Sequence, residues 1–498
     1  MATRPRFEPS PCSNSSEIPA LASHWLPLIS APADFPAEIF ETAVSQLIHH
    51  PEYNSTLILR ADILADTTSD FPTSIPTFEG AVPLHNVQRR LLPRRPGRDA
   101  PLEQHCTLYG SDATADTLVL TPVIAPGGSL PYYHPAVAHL AFRHISASPP
   151  IIRIEVVPLS SEDPIDLGSR LYRTSLSLLD ALHRYGWGAL TNYKKRVHHD
   201  CVVPREPYQD LYLIMRERFK GLVDTWVEST DPLKHVFEDI GIATFLILLW
   251  KDTYPPPPAS DVPPDEPWRA WGRPAGGFLD FGCGNGLLTH ILLSCGYPGV
   301  GVDLRARTSW GTYSPHTQAH LRVDAFDPHV LATGAEPTLY TAPGQFVIAN
   351  HADELTPWAP LLATRAPASG FLSIPCCAWA FDARFERGKT VAVEGGEKVG
   401  GDELAALVES LNLGADAAAA ASGYSQYRIW LAQLHRHCGW EIECEVLRIP
   451  STRNWALVGR RRMGDEEEAQ AHVDAILQSV WDRGIFKTRT PEGKTGNH

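Results

Sequence analysis

The segment Gly277–Trp310 reads GFLDFGCGNGLLTHILLSCGYPGVGVDLRARTSW, and that order leaves few folds open. The apolar run from Gly276 to Phe281 suits a short buried parallel strand. It enters a turn in which Asp280 precedes Gly282, Gly284 and Gly286, so backbone can approach a ligand with no side chains in the way. Leu287, Leu288, Ile291 and Leu292 follow at helical spacing, and the turn therefore opens a helix packed on the sheet. Val300 to Val302 form the next strand. Asp303 falls at its carboxyl end, about 20 residues after the turn, where an acid accepts bonds from ribose hydroxyls.

The spacing G-x-G-x-G departs from the G-x-G-x-x-G of dinucleotide sites, where a helix N-terminus faces a pyrophosphate. The ligand therefore need not carry phosphate. An acid followed by alternate glycines suits a cofactor with an amino-acid moiety and a sulfonium cation, S-adenosylmethionine. Alternate glycines alone are weak evidence and also fit a purely structural turn, and it is the strand, helix and Asp303 in register that favour the cofactor.

After Asp303 the alternation continues. Leu321 to Val323 ends at Asp324, Gln345 to Ala349 at Asn350 and Phe371 to Ile374 at Pro375, the third to fifth strands of a doubly wound, mostly parallel sheet. Ligands of such sheets lie beyond the carboxyl strand ends. Asp324 is placed to meet an adenine amino group, although a turn Asp fits there too. NHADELTPW brings Asn350, His351, Asp353 and Glu354 to the crevice; the two acids also fit the first turn of a helix. Cys376 and Cys377 of SIPCCAW are expected to line or pack the pocket, since adjacent cysteines alone do not make a tetrahedral metal site.

With 498 residues, 43% of them hydrophobic, the chain can bury two or three cores. A net charge of −14 gives no global attraction for nucleic acid, so a polyanion must meet a local basic patch, and DNA is not an expected partner. Nine cysteines show no C-x-x-C spacing, which points to reduced thiols in the cytosol or nucleus. The opening MATRPRFEPSPCSNSS lacks an apolar core of signal length. Ile240 to Trp250 is too short to span a bilayer and reads as a buried helix, so no membrane partner is expected.

Residues 1–170 carry strand-like runs at Ser55 to Ile63, Thr117 to Ile124 and Pro150 to Pro158, which predict a mixed α/β region. Arg89 to Arg98, RRLLPRRPGR, holds five arginines and no acid, a place for phosphates to dock or a solvated loop. Residues 171–253 read as helical. Within them TNYKKRVHHD sets Lys194, Lys195 and Arg196 beside Tyr193, a cationic aromatic surface; His198 and His199 point different ways and do not predict a metal site. The proline-rich stretch 254–272 predicts a linker. A methyltransferase domain is then expected over 273–462, with a mobile glycine- and alanine-rich insertion at about 384–423, a closing strand pair and a basic tip at Arg460 to Arg462. A solvated tail, with a terminal helix from Asp465 to Trp481, is expected over 463–498.

DFGCGNGLL with GVGVDLRARTSW, NHADELTPW, SIPCCAW and LRIPSTRNWALVGR, together with YKKRVHHD and HVFEDIGIATFLILLW, resemble the eukaryotic tRNA (uracil-2′-O-)-methyltransferases that act on the uridine at position 44 of serine tRNA. The resemblance runs from about Leu171 to Arg462. It implies a Rossmann-like methyltransferase domain, S-adenosylmethionine as donor, a tRNA substrate and a cytoplasmic location. It also implies Asp280, Gly282, Gly284, Gly286 and Asp303 as cofactor contacts. Asp324 joins them by its place on the third strand. A nearby His or carboxylate can accept the hydroxyl proton, and His351 or Asp353 are the candidates; the Lys-Asp-Lys-Glu set of many ribose methyltransferases is not placed in this sequence. The glycine turn by itself would equally serve a methyltransferase for protein or small molecules, or a cofactor-shaped binding module without turnover.

Overall fold

A computed structural model describes residues 3–12, 18–111, 114–125, 127–159, 166–193, 199–258, 262–263, 265–331, 338–386, 401–413 and 422–484. It divides into two compact units, 1–194 and 195–498.

The first unit is built on eight strands: β1 (Ser10–Pro11), β2 (Leu26–Pro32), β3 (Ile58–Thr67), β4 (Val82–Pro93), β5 (Leu102–Gly110), β6 (Thr117–Val123), β7 (Val137–Ile145) and β8 (Ile151–Pro158). They form one sheet in the order β1-β2-β8-β7-β6-β5-β4-β3, and every neighbouring pair is antiparallel. Helices α1 (Phe40–His49) and α2 (Arg170–Leu190) bury their apolar sides in the same core as the sheet residues Phe142 and Ile154. Ser169 caps α2 by accepting from the Tyr172 N–H at 3.0 Å. Gly186 lets α2 approach closely, since a Cβ there would lie 2.2 Å from the Phe35 ring.

The three strands expected here exist, with shifted ends, as β3, β6 and β8, but the sheet is larger. RRLLPRRPGR is not one loop: Arg89 and Arg90 lie within β4. The Arg89 side chain is buried, donating to Gln104 Oε1 at 2.6 and 3.0 Å and to the Leu47 carbonyl at 2.7 Å. Arg90 pairs with Glu103 at 2.7 Å. Both guanidinium groups are thus engaged within the fold.

The second unit begins with α3 (Arg205–Phe219) and α4 (Pro232–Thr253) and continues through β9 (Phe278–Phe281), α5 (Leu287–Ser294), β10 (Gly299–Asp303), α6 (Pro315–Gln318), β11 (Leu321–Val323), β12 (Phe346–Asn350), α7 (Trp358–Arg365) and β13 (Gly370–Ile374). A small hairpin follows, β14 (Trp379–Ala380) with β15 (Ala383–Arg384), then α8 (Gly401–Ser410), the helix Gly423–His437, β16 (Trp440–Val446), β17 (Trp455–Arg462) and the helix Glu466–Arg483. The main sheet runs β11-β10-β9-β12-β13-β17-β16. Its first five strands are parallel, and β17 pairs antiparallel with both β13 and β16. One face packs on α3, α4 and α5, the other on α7 and the last two long helices. The strand order reverses between β9 and β12, which opens a crevice at their carboxyl ends.

Several expected boundaries move. The helical stretch 171–253 is split: α2 belongs to the first unit, whereas α3 and α4 belong to the sheet unit. Every residue from Ile240 to Trp250 is buried, and Trp250 packs against Phe278, Tyr297 and Phe346 at 6.2, 5.1 and 5.5 Å between ring centroids. The prolines therefore do not separate domains. Beyond them Trp268 is fully buried, and the Tyr254 hydroxyl donates to the Ser369 carbonyl at 3.1 Å. The basic tip is strand instead, with Arg460 held to Glu443 at 2.5 Å and Arg462 donating to the Ala363 carbonyl at 2.9 Å. The expected solvated tail contains the helix Glu466–Arg483, which buries Val473, Ile476, Leu477 and Val480. Residues 194–198 of the basic aromatic segment, most of the 384–423 insertion and residues 485–498 lie outside the described residues. Among the described residues, no helix is long and apolar enough to cross a membrane.

Candidate active site

The glycine turn is a left-handed backbone built to stay open. Gly282, Gly284 and Gly286 have φ of +86°, +53° and +74°, values that favour glycine. The N–H groups of Gly282 and Cys283 both donate to the Val302 carbonyl at 2.9 Å. From outside, Trp310 Nε1 donates to the Gly284 carbonyl at 2.9 Å, and Ser309 Oγ and the Tyr313 hydroxyl donate to the Asn285 carbonyl at 2.8 and 3.1 Å. The later part of the LRARTSW motif thus fastens the turn while its other side faces a cavity of about 790 Å³. That volume lies in the range of small-molecule sites.

Gly282, Gly284, Asp303, Asp324, His351 and Asp353 all line this cavity. Asp303 Oδ2 accepts from the Gly284 N–H at 2.8 Å and Oδ1 from the Arg305 N–H at 3.3 Å, which leaves about two of a carboxylate's four acceptor positions for ligand hydroxyls. Asp324 Oδ1 accepts from the Ala325 N–H at 2.8 Å. Next to it Phe326 meets Phe281, Tyr340 and Trp358 edge-on at 5.0, 5.4 and 5.8 Å between ring centroids, a flat apolar wall.

Asp280 and Gly286 do not line the cavity. Side chains alternate along a strand, so Phe281 faces the cavity and Asp280 the opposite core. There Asp280 is 1% exposed, accepts from Thr289 Oγ1 at 2.7 Å, and is pushed up to about 7 by burial, with Asp303 adding to the rise and the Thr289 hydroxyl opposing it. Gly286 is the residue before α5, and a Cβ there would meet Leu321 and the Trp310 indole at 3.0 to 3.1 Å. Both shape the turn from behind.

His351 and Asp353 follow β12 with φ of +50° and +48°, a left-handed backbone that non-glycine residues seldom adopt and that clusters at functional sites. His351 Nε2 lies 3.0 Å from Glu238 Oε1, and its Nδ1 is buried without a hydrogen-bond partner. Although burial would raise it, the Glu238 carboxyl is held below its ordinary range by the hydrogen bond and charge of His351, helped by Ser451 and Lys234. Beside it, the Asn350 amide donates to Asp239 Oδ1 at 3.4 Å, and burial, then the charges of Glu238 and Asp280, push the Asp239 carboxyl well up. Glu238 and Asp239 come from HVFEDIG on α4, a stretch whose apolar periodicity announced only a buried helix. Two adjacent acids directly before the buried run Ile240–Trp250 were the available signal.

Cys376 Sγ donates to Asp353 Oδ1 at 3.1 Å, and Asp353, Cys376 and Cys377 bring their ligand atoms within 4.8 Å of one another. Burial, reinforced by the Asp353 carboxylate, pushes both thiols up, so they stand as neutral donors that orient the acid. Cys377 lines the cavity, as expected of this pair. His199, by contrast, sits 2.6 Å through Nδ1 from the Val446 carbonyl, and its neighbour His198 is outside the described residues.

The donor set fits S-adenosylmethionine. At Gly284 an added Cβ would meet nothing within 4 Å, so the cavity wall is bare backbone where the cofactor reading requires it, next to the partly free Asp303 carboxylate.

Comparison with known proteins agrees. Residues 6–196 match the family model "TRM44-like, N-terminal bet v1-like domain", and residues 202–262 and 269–328 match "Predicted AdoMet-dependent methyltransferase". A tRNA (uracil-O(2)-)-methyltransferase of Neurospora crassa is 36% identical over 89% of this chain and 87% of its own length. One from Schizosaccharomyces pombe is 35% identical over 93% and 91%, and one from Saccharomyces cerevisiae 29% over 93% and 91%. No solved structure matches the chain. The match spans both units and nearly the full length of these relatives, and the chain belongs to the tRNA (uracil-O(2)-)-methyltransferase family.

Proposed function

We propose that this protein methylates the 2′-hydroxyl of a tRNA uridine, that the uridine is at position 44 of serine tRNA, and that it does so in the cytoplasm. The reaction and the tRNA rest on the relatives. The position and the tRNA species rest on the motif resemblance. All nine cysteines are free thiols, which supports a reducing compartment. The single observation that carries the site is the bare backbone at Gly284 beside Asp303 on the wall of the cavity. The five parallel strands with helices on both faces support a Rossmann-like, doubly wound domain.

Gly282 and Gly284 would hold the cofactor by close backbone approach, Asp303 by its ribose hydroxyls, and Asp324 with the aromatic wall by its adenine. Asp280 and Gly286 hold the turn. When bound, S-adenosylmethionine supplies an electrophilic methyl group. A ribose hydroxyl is a weak nucleophile, so its oxygen must be aligned and its proton accepted. The ionised Glu238 carboxylate only accepts, so a neutral His351 with its Nε2–H turned to Glu238 would keep the Nδ1 lone pair to take the proton. Asp353, oriented by the Cys376 thiol, accepts a hydrogen bond from the same substrate region.

The test is incubation of purified protein with labelled cofactor and bulk tRNA, followed by nucleoside analysis. Recovery of 2′-O-methyluridine is expected, lost when uridine 44 of serine tRNA is replaced. Label found only in protein or small molecules would overturn the reading.

A further inference from the structure

A chain of net charge −14 must concentrate its cations where a polyanion docks. The cavity itself carries five acids, Asp303, Asp324, Asp353, Glu354 and Asp382, so a phosphate has to meet the few arginines at its wall and rim. Arg305, Arg307 and Arg384 line the cavity, and neither they nor Arg453 form an ion pair with any carboxylate among the described residues. Arg307 Nε is out of solvent with no partner.

Two of these arginines are held in place by aromatic rings. Arg384, on β15, lies 4.2 Å over the centroid of Trp379 on β14, and both line the cavity. The exposed Arg453, in the loop between β16 and β17, lies 3.9 Å over Tyr424. The Tyr424 hydroxyl donates to the Pro375 carbonyl at 2.9 Å. Arg428 braces the platform, packed 5.1 Å from Tyr424 and 3.8 Å from Trp455. Pro375 and Arg384 are the two ends of one segment, which carries Cys377 on the cavity wall. One stacked guanidinium therefore sits on the segment's last residue, and the other is fastened through Tyr424 to its first.

We infer that this segment is a phosphate rail: Arg384 and Arg453 take phosphodiesters of the RNA strand on either side of the target nucleotide, steering its ribose to His351. The inference rests on the tRNA reading above. A guanidinium stacked on a ring is planar, always charged and already ordered, so it loses little freedom on gripping a phosphate. With no carboxylate to release, neither arginine breaks an ion pair on binding. The aromatic partner also explains the residue type, since a lysine ammonium would neither stack as a plane nor present a fork.

The experiment measures tRNA affinity against salt concentration for wild type, Arg384→Gln, Arg453→Gln and the double variant, with thermal melting of each as the folding control. The slope of log affinity against log salt should fall by about 0.7 per arginine, roughly 1.4 in the double variant. Arg384→Lys with Arg453→Lys should keep most of the slope and still bind more weakly. Arg453 lies outside the cavity, and Arg453→Gln should bind S-adenosylmethionine as wild type does. A wild type that binds and methylates tRNA beside a folded double variant of unchanged slope overturns the rail alone. A wild type that neither binds nor methylates tRNA overturns the functional reading, and the rail with it.

Discussion

Replacing Asp303 separates what its carboxylate does for the fold from what it does for the ligand. Its Oδ2 accepts from the Gly284 N–H at 2.8 Å, the shorter of its two backbone bonds, and so helps set the turn even without cofactor. Asp303→Asn keeps one oxygen to accept from Gly284 and removes the charge. Hydrogen bonds to charged groups contribute about 1.5 to 3 kcal/mol, so losing the charge-assisted contact to a ribose weakens S-adenosylmethionine binding about 10- to 150-fold. The melting temperature should move little. Asp303→Ala removes the Gly284 acceptor as well, and both affinity and melting temperature should fall. Titration calorimetry with S-adenosylmethionine, run beside thermal melts of the three proteins, reads the two effects independently. Asparagine binding within twofold of wild type would refute the reasoning and leave Asp303 a purely structural acceptor.

Three further outcomes follow from the same geometry. Gly284→Ala has open space around the new methyl but a φ of +53°, so it should cost about 1 kcal/mol in stability while weakening cofactor binding by more than that, because the methyl enters the cavity; equal losses in both would contradict the assignment. The Asp280 carboxyl sits near 7 in the folded chain against about 3.9 unfolded. The folded state therefore holds the extra proton between those values, and stability falls as pH rises from about 4 to 7, by roughly 4 kcal/mol in all; in Asp280→Asn the decline should shrink, and melts showing the same decline would refute the buried acid's role. Glu238→Gln should lower kcat about 10- to 100-fold with little change in the KM for S-adenosylmethionine, and adding it to His351→Ala should slow the enzyme no further; additive losses would mean the two side chains act separately.

The strands of the second unit were readable in the sequence because each is a short apolar run punctuated by a polar residue at its carboxyl end. Asp303, Asp324 and Asn350 mark those ends, and β10, β11 and β12 close within a residue of them. The antiparallel sheet of the first unit was mostly hidden. Its β4 and β5 carry Arg89, Gln104, His105 and Thr107 buried among polar partners, so the alternation of apolar and polar residues that reveals a half-buried strand is absent. At the site, acids and glycines named from the glycine turn and strand ends, Gly282, Gly284, Asp303, Asp324 and Asp353, line the cavity, while Glu238 was not named: its partner His351 is 113 positions away, and no local spacing encodes such a pair. Asp280 was assigned to the ligand because it stands next to the turn, but strand parity sends its side chain the other way.

The burial of α4 against the sheet decides where this protein can be cut. A truncation starting at the prolines near residue 254 would strip the cover from Phe278 and Phe346, expose the flank of β9 and β12 to water, and discard Glu238 along with it. Cleavage near residue 194 falls at the division of the chain into its two units and leaves α3, α4 and α5 on the sheet. An autonomous catalytic fragment therefore has to begin some seventy residues ahead of its nucleoside motif, at α3, the first helix that shields it.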